Sequence, residues 1–181
     1  MKVTISLASA FAVAIALAPA AHAQESQVER GKYLVGITGC HDCHSPKIVG
    51  MKPDPDRILS GRPQTTKVPS MGAGEVHASE DFTAFAGGWG TTVASNLTPD
   101  PATGLGMRYN EEKFIKAMRT GKKPEGVAIQ PPMPVDVYVN MKDDDLKAIY
   151  AYLKTIKPIR NAVRAGIAPS KAPAAPAAEK K

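Results

Sequence analysis

Two cysteines and two histidines lie within one short segment of this 181-residue chain, Cys40-His41-Asp42-Cys43-His44. The segment has the pattern Cys-x-x-Cys-His, which in an exported protein is typical of c-type haem attachment. Two thiols on one turn can add across the two vinyl groups at a porphyrin edge, and the next histidine then lies beneath the ring with its imidazole directed at the iron. The pattern predicts one covalent haem c, attached to Cys40 and Cys43, with His44 as the proximal iron ligand.

Two other chemistries use closely spaced cysteines, and both remain alternatives. A redox-active Cys-x-x-Cys begins a helix that follows a strand, whereas this motif follows a predicted helix and no alternation of strands and helices surrounds it. A zinc site needs four ligands. The chain has only two cysteines and four histidines, and His41 and His44 lie inside the motif itself. A disulfide between Cys40 and Cys43 would leave His44 without a role, so haem attachment is the favoured interpretation.

The sixth iron position requires a second side chain. Apart from Met1, the candidates are Met51, Met71, Met107, Met118, Met133, Met141 and His77. Met118 lies on the apolar face of a predicted helix, which favours a core position. Met51 is too close in sequence to the proximal histidine to cross a haem easily.

Met133 is the predicted distal ligand because it is surrounded by prolines, in Pro131-Pro132-Met133-Pro134. Proline restricts φ and therefore stiffens the loop. A stiff loop presents a weakly binding thioether with little further loss of chain entropy, and methionine ligation raises the reduction potential of haem iron. Met141 and His77 remain alternatives to Met133.

Three segments with apolar residues at helical spacing are expected to position these groups. They span about residues 26–37, 110–121 and 143–157, and residues 45–90 between the first two read as loop with at most short strands. The expected buried positions are Val28, Tyr33, Leu34 and Ile37 in the first helix, Phe114, Ile115 and Met118 in the second, and Leu146, Ile149, Tyr150 and Leu153 in the third. Four Phe and one Trp form a modest core, so a bulky apolar cofactor would usefully fill its centre.

The two ends of the chain differ in composition from the segment between them. Residues 1–23 combine a basic start, an apolar run and Ala21-His22-Ala23, which predicts a signal peptide cleaved after Ala23 and export to the periplasm. The apolar run is shorter than the roughly 20 residues that span a membrane, and no later segment is apolar enough to do so. Residues 24–164 are the predicted domain, and residues 165–181 an Ala/Pro/Lys-rich flexible tail.

The net charge is +6 at pH 7, but the lysines and arginines are scattered rather than grouped with aromatic residues. This distribution, together with export, argues against nucleic acid as a partner. Within the chain, Arg62, Arg108 and Arg119 are candidate partners for haem propionates, and Trp89 is expected to be a packing residue.

The motifs together resemble those of class I c-type cytochromes, more specifically of the cytochrome c subunits that accompany periplasmic alcohol and gluconate dehydrogenases. The resemblance extends from about Val28 to Asn161. The matching segments are 29–34, 40–44, 96–100, 103–106, 114–121, 132–134 and 144–153. It implies a mainly α, cytochrome c-like fold, with few helices and long loops wrapped around a covalent haem. Met107 and Lys142 depart from the pattern, because relatives often carry Trp and a helix-capping Thr at these positions.

By the family pattern, Cys40 and Cys43 bind the haem covalently, His44 is the proximal ligand and Met133 the distal one. An iron with both axial positions filled has no open site for a substrate, so the expected function is electron transfer rather than catalysis. The resemblance implies a periplasmic dehydrogenase as donor, and a cytochrome or terminal oxidase would be the acceptor. Two alternatives remain: a haem protein with a labile distal ligand, acting in catalysis or sensing, and a fixed subunit of a dehydrogenase complex.

Overall fold

A computed structural model describes residues 25–70 and 75–164. The predicted signal peptide, the predicted tail and Met71 lie outside these residues. The six helices of the described part are α1 (Gln27–Ile37), α2 (Cys40–His44), α3 (Leu105–Arg108), α4 (Glu111–Thr120), α5 (Val135–Tyr138) and α6 (Asp143–Thr155). Its strands are β1 (Lys47–Ile48), β2 (Lys52–Pro53), β3 (His77–Ala78), β4 (Ala84–Gly87) and β5 (Gly90–Val93). No helix of the described part is long and apolar enough to cross a membrane.

Helix α1 begins at a capping box, in which Ser26 and Glu29 each accept a hydrogen bond from the other's backbone N–H. It packs against α6 so closely that a Cβ atom at Gly31 would lie 1.9 Å from the carbonyl oxygen of Ala148. The buried residues of α1 are consequently Gly31, Leu34 and Val35.

The predicted buried side of α1 was therefore largely wrong. Tyr33 and Ile37 are 53% and 60% exposed, and Val28 is exposed as well. Of the four predicted residues, only Leu34 is buried. The physical reason is that α1 approaches α6 closely at Gly31, which has no side chain. The buried face of α1 is therefore centred on this glycine rather than on the largest apolar residues.

The other two long helices follow the sequence closely. Asn110 accepts a hydrogen bond from the Lys113 N–H at the start of α4, which ends at Gly121 with φ +64°. Phe114 and Met118 are buried as predicted, joined by Ala117, while Ile115 is half-buried. Helix α6 buries its predicted leucines and isoleucine together with Ala148, whereas Tyr150 is half-buried.

Residues 45–70 and 75–93 contain loops and short antiparallel strands, as the composition indicated. Strands β1 and β2 form one pair, and β3, β4 and β5 form a three-stranded sheet in that order. The β4–β5 pairing places Phe85 opposite Thr92 and Gly87 opposite Gly90, with Gly88 and Trp89 at the turn. The core joins α1, α4 and α6 with Leu59, Leu105 and Tyr138. This helix-rich fold with long loops confirms the predicted fold class.

Candidate functional site

A cavity of about 640 Å³ lies between α2, the β4–β5 hairpin, α4, α6 and the loop that leads to α5. Its volume is within the range of roughly 300–1,000 Å³ that is usual for cofactor sites. Its lining is mainly apolar, with Phe85, Phe114, Leu146 and Ile149 among its members. All four predicted haem-binding residues, Cys40, Cys43, His44 and Met133, line this cavity.

The short helix α2 brings the Cys-x-x-Cys-His motif to the cavity. It follows Gly39, whose φ of +77° reverses the chain directly after α1. Both cysteines are free thiols. Burial is the main cause that raises the pKa of Cys40 and of Cys43, so both sulfurs carry their protons at neutral pH. The motif follows a helix rather than a strand, which does not favour the redox-dithiol alternative.

His44 is oriented by a hydrogen bond between its Nδ1 and the carbonyl oxygen of Ser95, at 2.7 Å. A carbonyl oxygen only accepts, so Nδ1 carries the proton and Nε2 keeps its lone pair. Burial lowers the pKa of His44, which also favours the neutral imidazole. A neutral ring with a free Nε2 and a backbone partner on Nδ1 is the arrangement that metal-binding histidines use.

Met133 is half-buried against the helical core. The next residue, Pro134, has φ −83° and ψ 65°, and the N–H of Val135 donates to the carbonyl oxygen of Met133 at 2.9 Å. These values define an inverse γ-turn. Three prolines and this turn hold the methionine in the stiff loop that the sequence predicted.

The other candidate distal ligands fall into two groups. Met118 and Met141 also line the cavity, the first within the core and the second just before α6. Met51, Met107 and His77 are not among the lining residues. His77 lies in β3, with its Nε2 3.1 Å from a carboxylate oxygen of Glu75. The structure therefore keeps Met141 as an alternative to Met133 and does not favour His77.

The cavity wall also includes polar groups that suit an acidic cofactor edge. Three buried polar atoms of lining residues have no hydrogen-bond partner within the described part of the chain: Trp89 Nε1, Thr92 Oγ1 and Arg108 Nε. Lys123 lines the same cavity, and burial, followed by the charge of Arg108, lowers its pKa. Two cations this close to each other favour an anion between or beside them, and a haem has two carboxylates. The residues present therefore fit a haem.

The three arginines proposed for propionates have different positions. Arg108 lines the cavity, whereas Arg62 and Arg119 do not. Arg62 is buried and donates to the carbonyl oxygen of Thr66. Arg119 forms an ion pair with Asp143 and donates to the backbone of Val139. Both side chains therefore have structural partners away from the cavity.

Sequence analysis missed four residues at this site, one of which is Thr92, whose buried hydroxyl is described above. Ser95 acts through its backbone, so its side chain gives no signal. Lys123 is one lysine among many in the chain. Tyr138 lines the cavity and donates a hydrogen bond to the carbonyl oxygen of Thr38 at 2.6 Å. Burial is the main cause that raises the pKa of Tyr138 to about 12, so its hydroxyl keeps its proton. No local pattern in the sequence distinguishes this tyrosine.

Within residues 25–70 and 75–164, no group of three or more His, Cys, Asp or Glu side chains lies close enough to hold a metal ion. The helix-rich fold, the cavity and the Cys-x-x-Cys-His turn on its wall together define a c-type cytochrome domain.

Comparison with known proteins gives the same assignment. The chain matches the model of the cytochrome c family over residues 28–157, and it belongs to this family. Membership implies a covalently bound haem c and confirms the predicted resemblance.

Several curated relatives are cytochrome subunits of dehydrogenases. The chain is 31% identical over 163 residues to the cytochrome c subunit of a quinone alcohol dehydrogenase from Gluconobacter oxydans, covering 88% of this chain and 28% of that protein. It is 33% identical over 130 residues to the gluconate 2-dehydrogenase cytochrome c subunit of Pantoea cypripedii, covering 72% of this chain and 23% of the relative. The fructose dehydrogenase cytochrome subunit of Gluconobacter japonicus is 30% identical over 146 residues, covering 77% and 23%. The chain thus spans about a quarter of the length of the relatives it matches.

Proposed function

We propose that this protein is a periplasmic c-type cytochrome that carries single electrons from a dehydrogenase to a downstream acceptor, a cytochrome or a terminal oxidase. One haem c is the proposed cofactor, because the chain has a single Cys-x-x-Cys-His motif. The observation that carries the proposal is the meeting of this motif with Met133, about ninety residues later, on the wall of one cavity of haem-compatible size.

Each proposed ligand has a defined role. The thiols of Cys40 and Cys43 would each form a thioether by adding S–H across a vinyl C=C bond, which requires no oxidant or reductant. His44 offers Nε2 to the iron while Ser95 holds the opposite side of the ring. Met133 offers its thioether from the stiff loop. Haem c supplies a one-electron ferric/ferrous couple when bound.

His44 and Met133 would both bind the haem iron and would leave no iron position for a substrate or for O₂. The proposed role of the domain is therefore that of a carrier rather than a catalyst. Arg108 is the proposed partner of a propionate, with Lys123 adding a second positive charge. Trp89 and Thr92 supply further donors on the same wall.

The nature of the donor rests on the relatives, which are named as subunits of alcohol, gluconate and fructose dehydrogenases. The net charge of +6 favours a partner with an acidic docking surface, and association rates that fall with added salt. The same names support a second arrangement, in which the protein is a fixed subunit of a dehydrogenase complex. Copurification of the protein with a dehydrogenase at physiological salt would identify it as a fixed subunit. Recovery of the protein as a free monomer would identify it as a shuttle.

Replacement of Met133 tests the axial assignment directly. In the Met133→Ala holoprotein, we expect loss of the ferric sulfur–iron charge-transfer band and rapid binding of carbon monoxide to the ferrous form. Met141→Ala is the matched control, because Met141 lines the same cavity, and this variant should keep the band. A band that survives M133A and disappears in M141A would transfer the role to Met141. Rapid carbon monoxide binding to the unmodified protein at neutral pH would favour the labile-ligand alternative instead.

A further inference from the structure

Tyr138 connects the two sides of the cavity that are far apart in sequence. It is the last residue of α5, five positions after Met133, and it is only 7% exposed. Its hydroxyl donates to the carbonyl oxygen of Thr38 at 2.6 Å. Thr38 lies between the end of α1 and Gly39, two residues before Cys40. We call residues 122–134, which contain Met133, the distal loop, and residues 38–45, which contain the cysteines, the proximal turn. One side-chain hydrogen bond thus connects the helix after the distal loop to the start of the proximal turn.

The chain between Met133 and Tyr138 is a single hydrogen-bonded unit. Val135 donates to the carbonyl oxygen of Met133 at 2.9 Å, and Tyr138 donates to that of Pro134 at 3.2 Å. Because these bonds leave little freedom between the two side chains, a shift of Tyr138 moves Met133 with it.

The part of the loop that precedes Met133 offers less support. Residues 124–128 and 130–132 are exposed, whereas Tyr138 is buried. The backbone bond from Ile129 to Gly121, at 2.7 Å, joins the loop to the end of α4, and the bridge between Lys122 and Ala128 lies within the loop itself. The first of these contacts holds the loop to α4 rather than to the turn that carries the cysteines.

We propose that Tyr138 is a positioning residue for the distal iron ligand, and this inference rests on the function and the ligand proposed above. Its hydroxyl fixes α5 against Thr38 and thereby keeps Met133 directed into the cavity. The residue sets how often the methionine leaves the iron, and so how accessible the sixth position is to an external ligand.

Tyr150 provides a matched control for removal of this hydroxyl. It lies on α6, packs against the same core, and donates its hydroxyl to the carbonyl oxygen of Tyr109 at 3.1 Å. Tyr138→Phe and Tyr150→Phe therefore each delete one hydroxyl that donates to a backbone carbonyl. Only the first of these bonds is connected to the distal loop.

The test compares the two holoproteins by carbon monoxide binding to the ferrous form and by the alkaline pH at which the ferric charge-transfer band disappears. Y138F should bind carbon monoxide about five- to tenfold faster, because one lost hydrogen bond increases the population of the methionine-free state by that factor. It should also lose the band at lower pH than the unmodified protein. Y150F should match the unmodified protein in both measurements.

Equal behaviour of Y138F and Y150F would overturn the inference and leave Tyr138 a purely structural residue. M133A, measured in parallel, distinguishes failure of the ligand assignment from failure of the inference about Tyr138. If M133A keeps the band, the ligand assignment and the inference both fail. If M133A loses the band and Y138F is unaffected, only the inference fails. If Y138F gives no holoprotein, Pro134→Ala is measured instead, because it loosens the hydrogen-bonded segment between Met133 and Tyr138 at the end next to Met133. Unchanged carbon monoxide binding in P134A would overturn the inference.

Discussion

The turn that contains the cysteines and the loop that contains Met133 face one cavity but are held in different ways. In the proximal turn, Lys47 Nζ donates to the carbonyl oxygens of His41 and Ser45, at 2.5 and 2.8 Å. Ser45 is fully buried, and its hydroxyl lies 2.9 Å from His41 Nδ1 and accepts from the Leu59 N–H. These four bonds hold the proximal turn within residues 41–59, in addition to the more distant bond between His44 and Ser95.

The distal loop has a different kind of support. Much of it is exposed, and the hydrogen bond from Tyr138 reaches one hundred residues back along the chain to Thr38. Under the proposed ligand assignment, the proximal side would fix the cofactor and the distal side would control how firmly the sixth iron position is held. The predictions that follow test whether the two sides differ in rigidity as this comparison requires.

The largest effect is expected from removal of both thiols. Cys40→Ala together with Cys43→Ala should abolish covalent haem, measured by haem staining after denaturing electrophoresis. Without haem, the apolar side chains that line the open cavity would be exposed to water. Loss of a group that stabilises only the folded state lowers stability, so the haem-free variant should also unfold at a markedly lower temperature than the holoprotein.

His77→Ala is a suitable control for the cysteine variant, since His77 does not line the cavity and its loss should leave covalent haem unchanged. Covalent haem on the double cysteine variant would contradict the assignment of the motif.

The next effect is expected at Gly61, which supports the proximal histidine. Gly61 has φ +73°, and a Cβ atom there would lie 2.5 Å from the carbonyl carbon of Ser95, whose oxygen orients His44. Gly61→Ala should therefore lower the free energy of unfolding by about 3 kcal/mol or more, from left-handed strain and a backbone clash together. Denaturant unfolding measures this loss, and displacement of the Ser95 carbonyl should also raise the reduction potential.

Gly50→Ala separates the effect of left-handed backbone strain from the effect of the steric clash with the backbone. Gly50 has nearly the same φ, +79°, but a Cβ atom there would have nothing within 4 Å. Its replacement should cost only about 1 kcal/mol and leave the potential unchanged. Equal losses in the two variants would show that the Ser95 backbone moves freely, and the proximal side would then not be rigid.

The same difference between the two sides explains what the sequence could predict. Apolar spacing encodes the three long helices locally, side-chain caps add to this signal in α1 and α4, and the structure has all three helices. The Cys-x-x-Cys-His motif is equally local, and it lies on the cavity wall. The buried face of α1 was mistaken because the contact of Gly31 with Ala148 is set by helix packing. Tyr138 and the Ser95 carbonyl could not be identified, since their roles depend on residues far away in sequence. Met133 could be selected only through its prolines and by excluding other methionines.

The smallest effect is expected at Gly121, which borders the distal loop. Gly121 has φ +64°, and a Cβ atom there would meet Val135 Cγ1 at 3.1 Å. The neighbour is the end of a side chain rather than backbone, so it can move by a few tenths of an ångström. Gly121→Ala should therefore cost about 1–2 kcal/mol in unfolding free energy, mostly from left-handed strain. A small shift of Val135, next to the Met133 turn, should also weaken the ferric charge-transfer band.

Gly126→Ala completes the comparison, because Gly126 lies in the same loop with φ +84° and has nothing within 4 Å of a Cβ atom. It should cost about 1 kcal/mol and leave the band intact, so that G121A and G126A differ by less than G61A and G50A do. If G121A is instead as destabilising as G61A, Val135 cannot yield and the distal loop is as rigid as the proximal turn. A loop that cannot move would give the methionine no path away from the iron, and the sixth position would then stay closed to external ligands.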